Sequence, residues 1–142
     1  MSHTLRQDVE SVPGILKALY ESFSGPAGPR DWDRLRSLFV PGGRMSPVRS
    51  HEDGRATIEC LEIGDYIASR SPYLAENPMY EVEVDQRVDR FGHMAHVWST
   101  YNGYRTLEEM PFFHGANSVQ LLHDGDRWWI VSVLCYNEFD AR

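Results

Sequence analysis

Apolar residues recur at three- and four-residue intervals in the first part of the chain, at Val12, Ile15, Leu16, Leu19, Tyr20 and Phe23. That spacing lays one stripe along a helix. Pro13 suits a first turn, where its missing N–H costs nothing, so the helix begins between Asp8 and Val12. The run Ser24-Gly25-Pro26-Ala27-Gly28-Pro29 ends it. Asp31 is placed to cap a short second helix carrying Trp32, Leu35, Leu38 and Phe39, which Pro41-Gly42-Gly43 stops. Residues 44–49 and 55–60 predict two short strands around the turn-like His51-Glu52-Asp53-Gly54. Ile63, Tyr66, Ile67 and Arg70 predict a third helix, ended before Pro72.

The second half changes period. Tyr80, Val82, Val84 and Val88 alternate with Glu81, Glu83, Asp85, Arg87 and Asp89, which predicts a strand with one wet face. Phe91-Gly92 turns it into a strand over 94–105. A looser loop around 107–111 leads to a strand over 114–122, and Asp124-Gly125 is a two-residue hairpin turn into 128–136. Helices thus come first and a long antiparallel sheet last, an α+β pattern in one domain curled around a pocket.

Turn position sets register, and register sets faces. With Phe91-Gly92 at the turn centre, Val82, Val84, Gln86 and Val88 share a face with Ala95, Val97, Ser99 and Tyr101. The acids Glu81, Glu83, Asp85 and Asp89 then fall on the wet side. With Asp124-Gly125 at its centre, the last hairpin puts Leu121, Val119 and Asn117 opposite Trp128, Ile130 and Ser132, and that more apolar face is the concave one. Trp128 points into the core and Trp129 away from it. The polar groups expected inside are Gln86, Ser99, Tyr101, Asn117, Ser132 and Tyr136. An apolar concavity with a few convergent polar groups describes a small-ligand site, although the same groups could simply satisfy one another. The reverse face shows Gln120, Leu122, Trp129, Val131 and Val133, more contiguous apolar surface than a monomer normally exposes, so a helix or a second subunit should cover it.

Composition narrows the function. The chain has 142 residues, with 42% hydrophobic and 25% charged, which suits one globular domain with a sizeable core. A net charge of −7 argues against a nucleic-acid partner. Arg30, Arg34, Arg36, Arg44, Arg49 and Arg55 are interleaved with Asp31, Asp33, Glu52 and Asp53 and read as a solvated mixed-charge surface rather than an anion site. No apolar run spans a membrane and no basic-then-apolar leader is visible, so a soluble, cytoplasmic chain is expected. Cys60 and Cys135 lack metal-ligand spacing and read as buried, reduced thiols; no metal and no cofactor are expected.

The segments 31–39 (DWDRLRSLF), 95–101 (AHVWSTY), 117–121 (NSVQL) and 125–132 (GDRWWIVS), in this element order, resemble the SnoaL-like domains of the nuclear-transport-factor-2-like (NTF2-like) superfamily over about residues 8–138. That resemblance implies a cystatin-like architecture. In it a cone-shaped half-barrel of curved, mostly antiparallel sheet has its concave face closed by three helices, and dimers form through the outer sheet face. Its enzymes, which include isomerases, dehydratases and cyclases, place an aspartate or histidine inside the cone. The registers above put neither there. His114 would turn inward through a bulge and His96 through a one-residue slip, while His51 sits on a loop near the rim. The reading is therefore a homodimer, joined around Leu122, Trp129, Val131 and Val133. It holds an apolar or aromatic molecule, with Tyr20, Trp32 and Tyr66 as walls and lid and Gln86, Ser99, Tyr101, Asn117 and Ser132 as polar contacts. The alternatives are an acid–base enzyme using His114 or His96, and a dimerisation module with a filled core.

Overall fold

The computed structural model describes residues 6–139. A single turn, α1 (Arg6–Val9), precedes the long helix α2 (Val12–Phe23). Ser11 caps α2 by accepting from the Gly14 N–H at 3.0 Å, with Pro13 in the first turn. All six residues of the predicted stripe are buried. Arg30 then ties down the break that follows, donating to the carbonyls of Phe23, Gly25, Pro26 and Gly28 at 2.7 to 3.0 Å. Asp31 caps α3 (Trp32–Ser37) at 3.1 Å from the Arg34 N–H. Arg34 itself forms a two-pronged pair with Asp8, both bonds 2.9 Å, and reaches Glu21 at 3.0 Å, so this arginine links α1, α2 and α3.

The sheet has seven strands: β1 (Phe39–Ser50), β2 (Ala56–Ile58), β3 (Leu61–Glu62), β4 (Tyr80–Phe91), β5 (Met94–Tyr104), β6 (Phe113–His123) and β7 (Trp128–Phe139). They run in the order β2-β1-β7-β6-β5-β4, with β3 also on β1; the β1–β7 pair is parallel and the others antiparallel. This curved open sheet is the cone-shaped half-barrel expected. Pro41-Gly42-Gly43 lies inside β1 instead of ending a helix, and the β1–β7 register shifts across it between Phe39 and Arg44. The third helix, α4 (Ile63–Glu76), runs through Pro72 and goes four residues beyond it. Leu74, only 2% exposed, continues the Ile63, Tyr66, Ile67 stripe past the proline, so packing outweighs the lost hydrogen bond.

Two turns shift the predicted register, and two bulges correct the predicted faces. The first hairpin turns at Gly92-His93, with Phe91 opposite Met94; Gly92 takes the left-handed conformation, φ +56°. Val88 and Gln86 still face inward, opposite Val97 and Ser99. At Val84, however, β4 bulges, so Glu83 pairs with Tyr101 and Glu81 with Gly103. Below that point the alternation inverts, and Glu81 and Glu83 lie on the concave face. In β7 the shift falls at Val131: Ile130 opposes Leu121, but Ser132 opposes Gln120 and Val133 opposes Val119. Val133 and Cys135 therefore point inward, while Ser132 and Tyr136, expected inside, point outward. The last turn is also wider than expected. The Asp124 carboxylate accepts from the Asp126 and Arg127 N–H groups at 2.8 and 2.9 Å and holds a four-residue loop. Trp128 is 2% exposed in the core, and Trp129 lies on the other face, with its indole N–H on Asp124 at 2.8 Å.

Candidate functional site

A cavity of about 820 Å³ opens between the lower half of the concave face, α4 and the β1–β2 edge. That volume is in the range of small-molecule sites. Its walls are mostly apolar, with Met45, Leu74, Met79, Phe112, Phe113 and Phe139 among them. Polar side chains that line it include Glu81, Tyr101, Asn117, Cys135 and Asn137 from the long strands, Arg49, Ser50 and Thr57 from the β1–β2 edge, Glu59 just after it, and Tyr66, Ser69, Arg70 and Tyr73 from α4.

Glu81 is half-buried, but the surface it keeps opens onto this cavity. Burial raises its carboxyl from the ordinary 4.5 to about 8, and the positive charge of Arg70 only partly opposes that rise. Burial thus favours the protonated form of Glu81 near neutral pH. The same burial, with the Glu81 charge adding to it, pushes the Tyr101 hydroxyl up and the Cys135 thiol up to about 12. Tyr66 is also raised, by burial first, and Arg70 lies over its ring at 5.2 Å. Tyr66 and Tyr101 are neutral donors, and Cys135 is a thiol rather than a thiolate nucleophile.

Two hydrogen-bonded groups support the wall. On one side Asn117 Nδ2 donates to Tyr20 Oη at 3.1 Å, and Tyr20 meets Ser99 Oγ at 2.6 Å. Ser99 donates to Glu83 at 2.5 Å, and Gln86 Nε2 donates to both Glu83 oxygens at 3.0 and 3.1 Å. On the other side the Tyr101 hydroxyl donates to Asn137 Oδ1 at 2.5 Å. Gly115 makes room for this second pair, since a Cβ there would fall 2.4 Å from Asn137 Oδ1 and 2.7 Å from Tyr101 Oη.

Of the eight residues expected to touch a ligand, Tyr66, Tyr101 and Asn117 line the cavity. Tyr20 and Ser99 are buried behind it, and Gln86 is held on Glu83. Trp32 packs against the core from α3 and does not line the cavity, and Ser132 is turned outward by the Val131 bulge. His114 is exposed on the outer face, and His96 is on that face with Nδ1 at 2.8 Å from Gln120 Nε2, so neither candidate base reaches the cavity. His51 pairs with Thr57 at 2.8 Å near the mouth. Cys60 is exposed rather than buried, because it follows the three-residue strand β2, all of which is exposed. Glu81, Arg70, Cys135 and Asn137 were missed. In β7 a signal existed: Ile130 and Val133 are three apart, a step that strict alternation cannot place on one face. In β4 the sequence carries no comparable mark of the bulge.

Among the described residues no group of three or more His, Cys, Asp or Glu side chains could hold a metal ion, and no helix is long and apolar enough to cross a membrane. No family model matches the chain, and no curated protein sequence is similar to it. Solved structures are similar along nearly the whole length. One is an NTF2-like family protein from Streptomyces avermitilis to which a dehydratase activity has been ascribed, at 19% identity and TM-score 0.67, covering 94% of this chain and 97% of that one. A Nostoc punctiforme protein of unknown function with a cystatin-like fold gives 10% identity and TM-score 0.64, covering 91% and 94% of the two chains. An uncharacterised cystatin-like protein from Caulobacter vibrioides gives 13% and 0.63, over 89% and 87%. The chain therefore has the cystatin-like fold of NTF2-like proteins.

Proposed function

We propose that the chain is an acid–base enzyme that removes water from a small, largely apolar hydroxy-carbonyl compound, and that it works as a homodimer. The observation that carries this reading is Glu81, a carboxyl held protonated near neutral pH at the wall of a cavity of ligand size. A carboxyl tuned close to working pH is what general acid–base chemistry requires. The ascribed dehydratase activity of the Streptomyces avermitilis protein points the same way.

The reaction follows from that protonation state. The Glu81 O–H gives its proton to the leaving hydroxyl, the C–O bond breaks and water departs. The carboxylate left behind takes the proton from the neighbouring carbon, whose C–H electron pair becomes the double bond. Glu81 ends protonated, ready for another cycle. Tyr66, a neutral donor at the cavity wall, would steady charge that develops on the carbonyl oxygen, while Tyr101 keeps its proton on Asn137.

The test is turnover of a panel of aromatic and alicyclic β-hydroxy ketones, followed by the absorbance of the conjugated product. kcat/KM should fall as pH rises through about 8, because only protonated Glu81 starts the reaction. Glu81→Gln should lower kcat by about 10²–10⁴-fold while leaving binding intact. A Glu81→Gln protein as active as the wild type would remove Glu81 from the chemistry. Binding across the panel with no turnover would leave a carrier of such compounds instead.

A further inference from the structure

We infer that Asn117 and Asn137 form a two-point reader of opposite polarity in the cavity wall, which selects ligands carrying a hydrogen-bond donor beside an acceptor. This deepens the hydroxy-carbonyl reading and rests on the cavity being a binding site, but not on Glu81 acting as the acid.

A side-chain amide can turn either end toward a ligand, so its polarity must be fixed by its other partners. For Asn117 the fixing begins at Glu83, three bonds away. Gln86 Nε2 donates to both Glu83 oxygens, and Ser99 Oγ donates to Glu83 Oε2 at 2.5 Å. Ser99 has one proton, now committed, so at the 2.6 Å contact the Tyr20 hydroxyl must donate to Ser99. Tyr20 in turn has no proton left for Asn117 and must accept from it, in agreement with the longer N–H···O distance of 3.1 Å. Asn117 is thereby held with Nδ2 toward the core. Its Oδ1 has no hydrogen-bond partner among the described residues, yet no sealed side-chain nitrogen or oxygen among them is left unpaired. With Asn117 only 3% exposed and lining the cavity, that oxygen is an acceptor presented to the cavity.

Asn137 has the reverse sense. The 2.5 Å contact to Tyr101 is an O–H···O length, too short for an amide N–H donor, so Oδ1 accepts and the Nδ2 group is turned away. That group also has no partner among the described residues, and Asn137 lines the same cavity. The two amides are diagonal neighbours on one face, since Asn117 opposes Cys135 and Gly115 opposes Asn137. Diagonal positions lie about 7–8 Å apart, so one small molecule seated between the two amides can meet both. A hydroxyl or N–H would donate to Asn117 while an adjacent carbonyl accepts from Asn137. Ser99, Tyr20 and Glu83 do not line the cavity, so they act as positioning residues.

The experiment is an NMR titration of ¹⁵N-labelled protein with 1-tetralone, an acceptor only, and 2-hydroxy-1-tetralone, which adds the donor. The hydroxy ketone should bind about tenfold more tightly, the usual penalty when a buried acceptor is left unpaired. Asn117→Leu should bring that ratio to about one. Ser99→Ala, which touches no ligand, should also erode the ratio by freeing the amide to flip, while 1-tetralone affinity stays the same; a purely structural role would weaken both compounds equally. A wild-type ratio near one, a ratio unchanged in both variants, or no shift of cavity resonances with either compound overturns the inference. Repeating the titration in Glu81→Gln separates the two claims. A preserved ratio with lost turnover supports both, and a preserved ratio with unchanged turnover sinks only the acid role.

Discussion

Glu81 concentrates the chemistry at the scale of single residues, and its cost to the fold is measurable without any substrate. Its carboxyl titrates at about 8 in the folded chain against 4.5 ordinarily, because burial disfavours the charged form. Through that interval the native state keeps a proton that the unfolded chain releases. By linkage its contribution is fully present below the unfolded value and is lost as pH rises through the folded one. Relative to Glu81→Gln, which has nothing to ionise, the wild type should therefore lose on the order of a few kcal/mol between about pH 4 and about pH 9. Urea denaturation of both proteins across that range gives the difference directly. A difference that is flat with pH would mean that Glu81 ionises freely in the folded protein. Glu83, one pleat away on the same inverted face, is held differently. It accepts hydrogen bonds from Ser99 and Gln86 and does not line the cavity, so one short stretch of strand carries both the cavity carboxyl and a half-buried anchor.

The elements that shape the cavity are strands whose irregularities matter more than their regular parts. Gly103 on β5 lies under the Phe113 ring, and a Cβ there would come within 2.1 Å of ring carbons. Gly103→Ala must push Phe113 out of the 2%-exposed place it holds beside Tyr101, Phe112 and Phe139. The expected loss is about 1–3 kcal/mol of unfolding free energy, the range for overpacking a filled core, with unchanged stability contradicting the packing described. The same irregularities decide how far the sequence could be read. The helical stripe of α2, the cap at Asp31 and the alternation of β5 and β6 follow from local rules, and the structure has them. The position of a bulge does not follow from such rules, because one added residue is set by what the strand meets across the sheet. In β4 that single residue moved Glu81 and Glu83 from solvent to the concave face. An otherwise correct alternation therefore left out the acid on which the proposed chemistry depends. In β7 it exchanged Ser132 and Tyr136 for Val133 and Cys135. The site lay where the strand pattern breaks, which is also where side chains can be aimed anew.

At the scale of the whole molecule helices close the concave side of the sheet, and no element among the described residues covers its convex side. Val133, expected near the centre of a subunit interface, is fully buried in the core, and Trp129 is only partly exposed, with Arg127 stacked 3.5 Å from its ring centre. The apolar surface of the convex face lies elsewhere. Trp98 and Leu134 face it on one row across the sheet, joined through Ser118, and are 42% and 44% exposed. Val131, at 39%, lies nearby on β7, while Val82 and Val84, at 45% and 63%, extend the patch along β4. Apolar side chains on this convex sheet face, with no element among the described residues over them, gain about 25 cal/mol for each Å² that a partner removes from water. A second copy of the same face meets that demand symmetrically, since each Trp98 can pack on the partner copy's Leu134 row. The homodimer proposed above is therefore expected to centre on Trp98 and Leu134 rather than on Trp129 and Val133. Light scattering at micromolar concentration should return about twice the 16.4 kDa chain mass. Changing Trp98 and Leu134 together to Glu should give a monomer with an unchanged far-UV circular dichroism spectrum, because neither side chain is part of the core. A wild-type monomer would end the dimer proposal. A double variant that stays dimeric would move the interface off this face, back toward Leu122 and Trp129 at its edge.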